Sequence, residues 1–349
     1  MKFYIFILSL MVFSACTSSP KENMTYYSDF PEEHHLTGTE LHVDTAMLRF
    51  PFRIQVVGDH AIVMDLHGTD HYFHMFQYPE FTYISSFGKR GDSPKEMLSA
   101  ETFQCVNGEI WTLDANKAEL TRFVECSSGD SLLREEAVTL DKQLLRALDF
   151  AVYDDSTFII PDYSGERRLC RVKRDGSLLS KTGVIPTENE SALQHSQPAL
   201  AQAWRSFIDY NPHNGIMVAA TQLGEVLEIF HPADSTHLVC VGPHGEPEFK
   251  VSGSYGIPTG IMGFSDVKVT DNAIYAVFHG RTFQELARQQ PGHIIDGGQF
   301  IYKFSLEGKP LCKYVLDRYI YGIHVDETKK IITATDVNTD QPIVEFRFS

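Results

Sequence analysis

The 349-residue sequence predicts an all-β fold, a six-bladed β-propeller of four-stranded blades whose ring is closed by an N-terminal strand. Three observations carry that expectation. A turn rich in Asp, Asn and Gly followed by a short β-rich run recurs six times; the copies are evenly spaced; and the last copy is one strand short while an unpaired strand candidate precedes the first. The turns are Gly58-Asp59-His60, Asn107-Gly108-Glu109, Asp154-Asp155-Ser156, His213-Asn214-Gly215, Asp271-Asn272 and Asp326-Glu327-Thr328. The runs that follow end at positions 65, 114, 162, 220, 277 and 336, steps of 49, 48, 58, 57 and 59 residues. Common propeller repeats are about 40–50 residues long, so the excess is loop-sized.

Each copy is flanked by further apolar strands: residues 53–57 before the first and 72–77 and 81–87 after it, residues 264–269 before the fifth and 300–305 and 311–316 after it. Four short antiparallel strands make one blade, and radial repetition leaves only short, protected sheet edges. The sixth copy supplies three strands, at 321–325, 331–335 and 343–348, and residues 36–43 are expected to add the fourth. No Pro/Ser/Gly-rich linker divides the chain after residue 50, so residues 36–349 read as one propeller domain. A large β-sandwich or two smaller all-β domains would share the β-richness but not the regular spacing.

Composition bounds the function. With 43% apolar residues the chain can bury a core, and a formal net charge of −16 argues against a phosphate-tracking nucleic-acid binder. The first residues carry one cation, Lys2, then a run of mostly apolar residues too short for the roughly 18–20 needed to cross a bilayer. Ser14 and Ala15 before Cys16 resemble the bacterial lipobox, with Phe13 where Leu is usual. Residues 1–15 are therefore expected to be a lipoprotein signal peptide, Cys16 the acylated residue, and residues 16–35 a flexible tether. The lipid on Cys16 is the expected membrane partner, and the absence of Asp after Cys16 looks like an outer-membrane address in the cell envelope of a Gram-negative bacterium. The other cysteines, Cys105, Cys126, Cys170, Cys240 and Cys312, are odd in number and widely spaced, with no Cys-x-x-Cys pair; most sit in apolar alternating runs, which reads as buried strand cysteines.

Two segments carry a family resemblance. Residues 87–97 read Phe-Gly-Lys-Arg-Gly-Asp-Ser-Pro-Lys-Glu-Met and residues 241–249 read Val-Gly-Pro-His-Gly-Glu-Pro-Glu-Phe, with Gly88 and Gly242 three blade periods apart. Both resemble the Gly-x-x-Gly-x-Gly-Pro-x-Glu-Phe signature of the TolB-like six-bladed propeller lipoproteins of Bacteroidota. Ser93 and Met97 depart from it, and the second copy is one residue short. The motif is a loop between blades, with glycines for φ > 0 and a glutamate placed to accept backbone N–H bonds. The resemblance implies the fold and the envelope compartment, with binding as its default function.

Candidate chemistry lies in the loops joining second to third strands, which share one face with the blade-to-blade connections. These loops put Asp65, Asp114, Asp162 and Asp336 at equivalent places, where Asp also commonly caps a turn. The densest polar cluster, residues 65–74, offers His67, Asp70 and His71 to a divalent cation; His74, an odd number from His71, faces away. One long insertion, residues 279–298, with a helix expected over 282–289, brings His279, Arg281 and Asp296 to the same face, joined by Arg167 and Arg168. The expected binding rim is thus Asp65, His67, Asp70, His71, Asp162, Arg167, His279, Arg281 and Asp296. No nucleophile elbow, zinc-protease motif, phosphate loop or dinucleotide fingerprint occurs. The favoured reading is a non-catalytic, cofactor-free binding or scaffolding module for an envelope protein or glycan. The alternative is a propeller hydrolase or lyase acting on a glycan or lactone with a divalent metal.

Overall fold

The computed structural model describes residues 23–43, 48–126, 131–288 and 295–349. The first strands belong to an N-terminal strap: β1 (Met24–Tyr26), β2 (Glu32–Leu36) and β3 (Thr39–Leu41). Blade 1 then runs through Pro51–Val57, His60–Asp65, His71–Gln77 and Thr82–Lys89. Blade 2 comprises Ala100–Val106, Glu109–Asp114, Glu119–Glu125 and Leu132–Thr139. Blade 3 comprises Ala151–Asp154, Thr157–Pro161, Leu169–Lys173 and Leu178–Thr182. Blade 4 is Ser206–Asn211, Ile216–Thr221, Val226–His231 and Thr236–Val241, and blade 5 is Phe264–Val269, Ile274–Phe278, Gly298–Phe304 and Pro310–Ile320. Blade 6 has Ile323–Asp326, Ile331–Thr335 and Ile343–Arg347, and β3 pairs antiparallel with the last of these as its outer strand. The ring therefore closes through the N-terminal strand, in agreement with the sequence expectation.

The second strands read as near-continuous buried runs, as expected of strands covered on both faces. Cores form between blades: Trp111, Leu113, Phe150 and Phe158 pack blade 2 on blade 3, and Ile229, Phe264, Phe278 and Phe304 pack blade 4 on blade 5. Blades 3 and 4 are also bridged by charge. Arg168 turns inward, its Nε donating to Glu228 Oε1 at 2.8 Å with both residues buried. Burial alone would raise the Glu228 carboxyl, but Arg168 and His237 hold it below the usual carboxylate range. Arg168 is thus a structural bridge and not the rim cation expected of it.

The strap corrects a second expectation. Part of the stretch read as a flexible tether over 16–35 is ordered edge strand, because β1 and β2 add in parallel to the outer strands of blades 4 and 5. Tyr27 and Phe30 anchor it: Phe30 lies 4.6 Å from the Tyr302 ring and 5.3 Å from Phe304, and Tyr27 Oη donates to Glu225 at 2.9 Å. Residues 1–15, expected to be a signal peptide, and Cys16 lie outside the described residues, within which no helix is long and apolar enough to cross a membrane. Cys105, Cys126, Cys170, Cys240 and Cys312 are all unpaired, the last three buried.

Candidate functional site

At the ends of the second strands, the four aspartates are consumed by their own turns and, for Asp65 and Asp114, also by the connection that enters the blade. Asp65 accepts from the backbone N–H groups of Arg49, Phe50 and His67 at 2.8, 2.7 and 3.0 Å. Asp114 accepts from those of Leu98, Ser99, Asn116 and Lys117, and Asp162 from those of Ser164 and Arg167 and from Lys181. Asp336 accepts from Asn338 N–H at 2.8 Å. All four are buried, so Asp65 and Asp162 present no free oxygen to a rim.

Beyond the blade 1 turn, His67 is exposed and lies 4.8 Å from the Phe50 ring, Asp70 is exposed, and His71 is half-buried. Burial lowers His71, with Asp70 opposing the shift. His74 is buried, with Nδ1 2.8 Å from Ser86 Oγ. His67, Asp70 and His71 do not converge: among the described residues, the one trio of His, Cys, Asp or Glu with ligating atoms within 4.8 Å of one another is elsewhere, at Glu32, His34 and Cys312. Arg167 is exposed and its Nη1 donates to Glu166 O at 3.1 Å.

The insertion of blade 5 does reach the axis. Its helix α3 (Phe283–Ala287) starts at a Thr282 capping box with Glu285, close to the expected position. Arg281 donates to the carbonyls of Ile295 and Gly297 at 2.9 and 2.8 Å, and lies 4.7 Å over the Tyr319 ring. Asp296 Oδ1 accepts from Tyr321 Oη at 3.0 Å, and Tyr321 meets His279 edge-on at 5.9 Å. His279 is 3% exposed, with its Nδ1 buried and unpartnered. Burial, then the neighbouring Arg281, push its imidazole down to about 3, so the ring is neutral near pH 7.

Of these residues His279, Phe283 and Tyr321, but not Arg281 or Asp296, line a cavity of about 390 Å³ at the axial mouth, on the face of the second-to-third loops. Its walls are Phe52, Phe207, Phe264 and Tyr321, one from the start of the inner strand region of each of blades 1, 4, 5 and 6. Gln202, Arg205, Gln222, Ser265 and His279 supply the polar atoms. Arg205 reaches Glu101 of blade 2 at 3.6 Å while its Nε is buried without a partner. Arg53, 5% exposed, lies beside the cavity wall with its guanidinium 4.0 Å from the Phe52 ring and 4.4 Å from Phe207. It pairs with Asp266 at 3.6 Å, leaving Nη2 unpartnered. Farther along the axis, inner-strand side chains hold neighbouring blades: Asp149 accepts from Ile208 N–H, Asp209 from Val269 N–H and Asp266 from Ile323 N–H, at 2.9, 2.7 and 2.8 Å. Burial pushes the Asp149 carboxyl up to about 7, against the Ile208 N–H and Arg53.

Part of this wall escaped the sequence reading. Helices α1 (Glu190–His195) and α2 (Gln197–Ala203) fill the connection from blade 3 to blade 4, and α2 carries Gln202 to the mouth. Gln202 Oε1 accepts from Gly256 N–H at 3.0 Å, tying down the hairpin of Phe249–Ser252 and Tyr255–Pro258. That hairpin exposes Val251, Tyr255 and Ile257. The run Pro198-Ala199-Leu200-Ala201-Gln202-Ala203 was the legible signal, with Pro near a helix start and strong helix formers after it. The aromatic ring had a signal too, in Phe52, Phe207 and Phe264 recurring at the starts of inner strands.

The interblade motif is structural. Glu96 accepts from Ser93 N–H at 3.3 Å and from Lys89 Nζ at 2.7 Å, and a Cβ at Gly91 would strike its carboxylate. In the second copy the glutamate at the matching place, Glu248, is exposed, and it is Glu246, before the proline, that accepts from Glu188 N–H and Thr187 Oγ1, both at 2.6 Å. A family model described as a TolB-like 6-blade propeller matches residues 29–328. The chain belongs to this TolB-like family. Among solved structures, it is similar to a Bacteroides fragilis protein described as exported, with a TM-score of 0.55 and 10% identity over 92% of this chain and 99% of that one. It is also similar to an auxiliary nutrient binding protein of Bacteroides ovatus, with a TM-score of 0.54 and 9% identity over 90% and 76% of the two chains. No curated protein matches. At these identities the likeness carries the propeller fold alone.

Proposed function

We propose that this TolB-like propeller is a binding module of the cell envelope, held at the outer membrane by lipid on Cys16, that takes a small ring-bearing ligand into the axial mouth and releases it unchanged. The observation that carries the reading is a concave site walled by four aromatic rings in which buried polar atoms, His279 Nδ1 and Arg205 Nε, lack protein partners. Concave, largely apolar sites with a few convergent polar groups are the usual form of small-molecule sites, and a buried donor without a partner costs about 1–3 kcal/mol until a ligand or water supplies one. The amides of Gln202 and Gln222 with a neutral His279 suit an uncharged, hydroxyl-bearing ring such as a sugar, whose flat face stacks on an aromatic ring. The nutrient-binding description of the Bacteroides ovatus neighbour agrees with this at the level of fold. The reading needs no cofactor, and the residues offered for a metal-dependent hydrolase, His67, Asp70 and His71, do not come together.

The test is a melting screen of the full chain against mono- and disaccharides and other neutral ring compounds. A binder at one hundred times its Kd adds about 2.7 kcal/mol to the folded state, and Gln222→Ala, which trims only a side chain at the mouth, weakens the shift. Consumption of the compound into a new product, or a panel without a shift, would overturn the proposal. Because His279 stays neutral from pH 6 to 8, affinity is flat across that range, as isothermal titration at both ends would check.

A further inference from the structure

We propose that Glu32, His34 and Cys312 form a site for a borderline-soft divalent cation of the Zn²⁺ kind, which clamps the N-terminal strap to blade 5. The strap strand β2 pairs in parallel with the outer strand of blade 5, with Glu32 opposite Cys312 and His34 opposite Tyr314. Side chains two apart on a strand share a face, and so do directly opposed partners, so strand geometry alone puts the three groups on one side of the sheet. Their ligating atoms lie within 4.8 Å of one another, a coincidence found at no other His, Cys, Asp or Glu group among the described residues. His34 Nε2 and Glu32 Oε2 are 3.3 Å apart, and the edge of a tetrahedron with bonds of about 2.0 Å is also about 3.3 Å.

The donor set selects the ion. Thiolate with imidazole suits Zn²⁺, whereas Ca²⁺ and Mg²⁺ seek shells of oxygen. Cys312 is unpaired and 4% exposed, while Glu32 and His34 are exposed, so the site opens outward from a buried sulfur. Three protein ligands leave a fourth position for water. Glu33 and Lys313, one residue farther along each strand, pair with each other, while Lys303, opposite Cys312 on the next strand, favours the thiolate over the thiol. On binding, the thiol proton passes to solvent and the sulfur bonds the metal as thiolate. The site is separate from the axial mouth, and its ion would fix the strap that links the ring to the leader.

The experiment is titration of the reduced full chain with Co²⁺ and then Zn²⁺. The proposal expects a near-ultraviolet thiolate-to-Co²⁺ band that Zn²⁺ bleaches and excess Ca²⁺ does not. Cys312→Ser removes the band and one equivalent of bound metal, which separates this site from any other cysteine in the chain. His34→Ala, an exposed position that leaves metal-free melting unchanged, weakens binding at least about tenfold. Absence of a thiolate band, or a band that survives Cys312→Ser, would overturn the proposal.

Discussion

The aspartates that close the second strands spend their carboxylates on backbone amides rather than on a ligand. Their equivalence around the ring was legible, because Asp65, Asp114, Asp162 and Asp336 recur with the blade period. Their role was not, because a carboxylate that accepts backbone amides and one that faces a ligand share the same spacing. Asp114 accepts from four backbone N–H groups, so Asp114→Ala is expected to cost about 2 kcal/mol in urea unfolding by leaving buried donors unpaired. Asp149 gives a pH signature. Its folded carboxyl is raised by burial to about 7 from 3.8, so its contribution favours folding below about pH 4 and is lost as pH rises through 7. Asp149→Asn mimics the protonated form; it is therefore expected to gain more melting temperature relative to the parent at pH 8 than at pH 5. Equal differences at the two pH values would refute this.

At the scale of elements, the blades were legible because buried strands leave apolar runs punctuated by turn residues, and β3 because blade 6 lacked a strand. β1 and β2 were not, since Met24–Tyr26 and Glu32–Leu36 are edge strands that bond through their backbones and expose most of their side chains. Polar edges of this kind are how sheets avoid further pairing, and in sequence they look like a tether. The anchors are Tyr27 and Phe30 against Tyr302 and Phe304. Replacing both with Ala is expected to free the strap, so that limited proteolysis cuts before residue 36 while blade 6 keeps β3 and the ring stays closed. Cleavage no faster than in the parent would mean that the backbone ladder alone holds the strap.

For the whole molecule, the ring brings together residues that the chain keeps far apart. Phe52, Phe207, Phe264 and Tyr321 converge from four blades, Arg53 fills the space beneath, and a second cavity of about 550 Å³ opens on the opposite face, lined by Asn211, His213, Lys268 and His324 among others. Sequence periodicity gives the ring but not which side chains meet on its axis, and it ranked the dense histidine turn of blade 1 above the dispersed aromatics that line the mouth. The two mouths can be distinguished directly. The decisive measurement is to titrate a neutral ring compound that stabilises the parent chain into Gln222→Ala and Asn211→Ala in parallel, with mass spectrometry of the compound afterwards. Weakened binding in Gln222→Ala, parent-like binding in Asn211→Ala and a compound recovered intact is the predicted result. Loss of binding only in Asn211→Ala, or recovery of a transformed compound, would contradict the account of a non-catalytic site at this mouth.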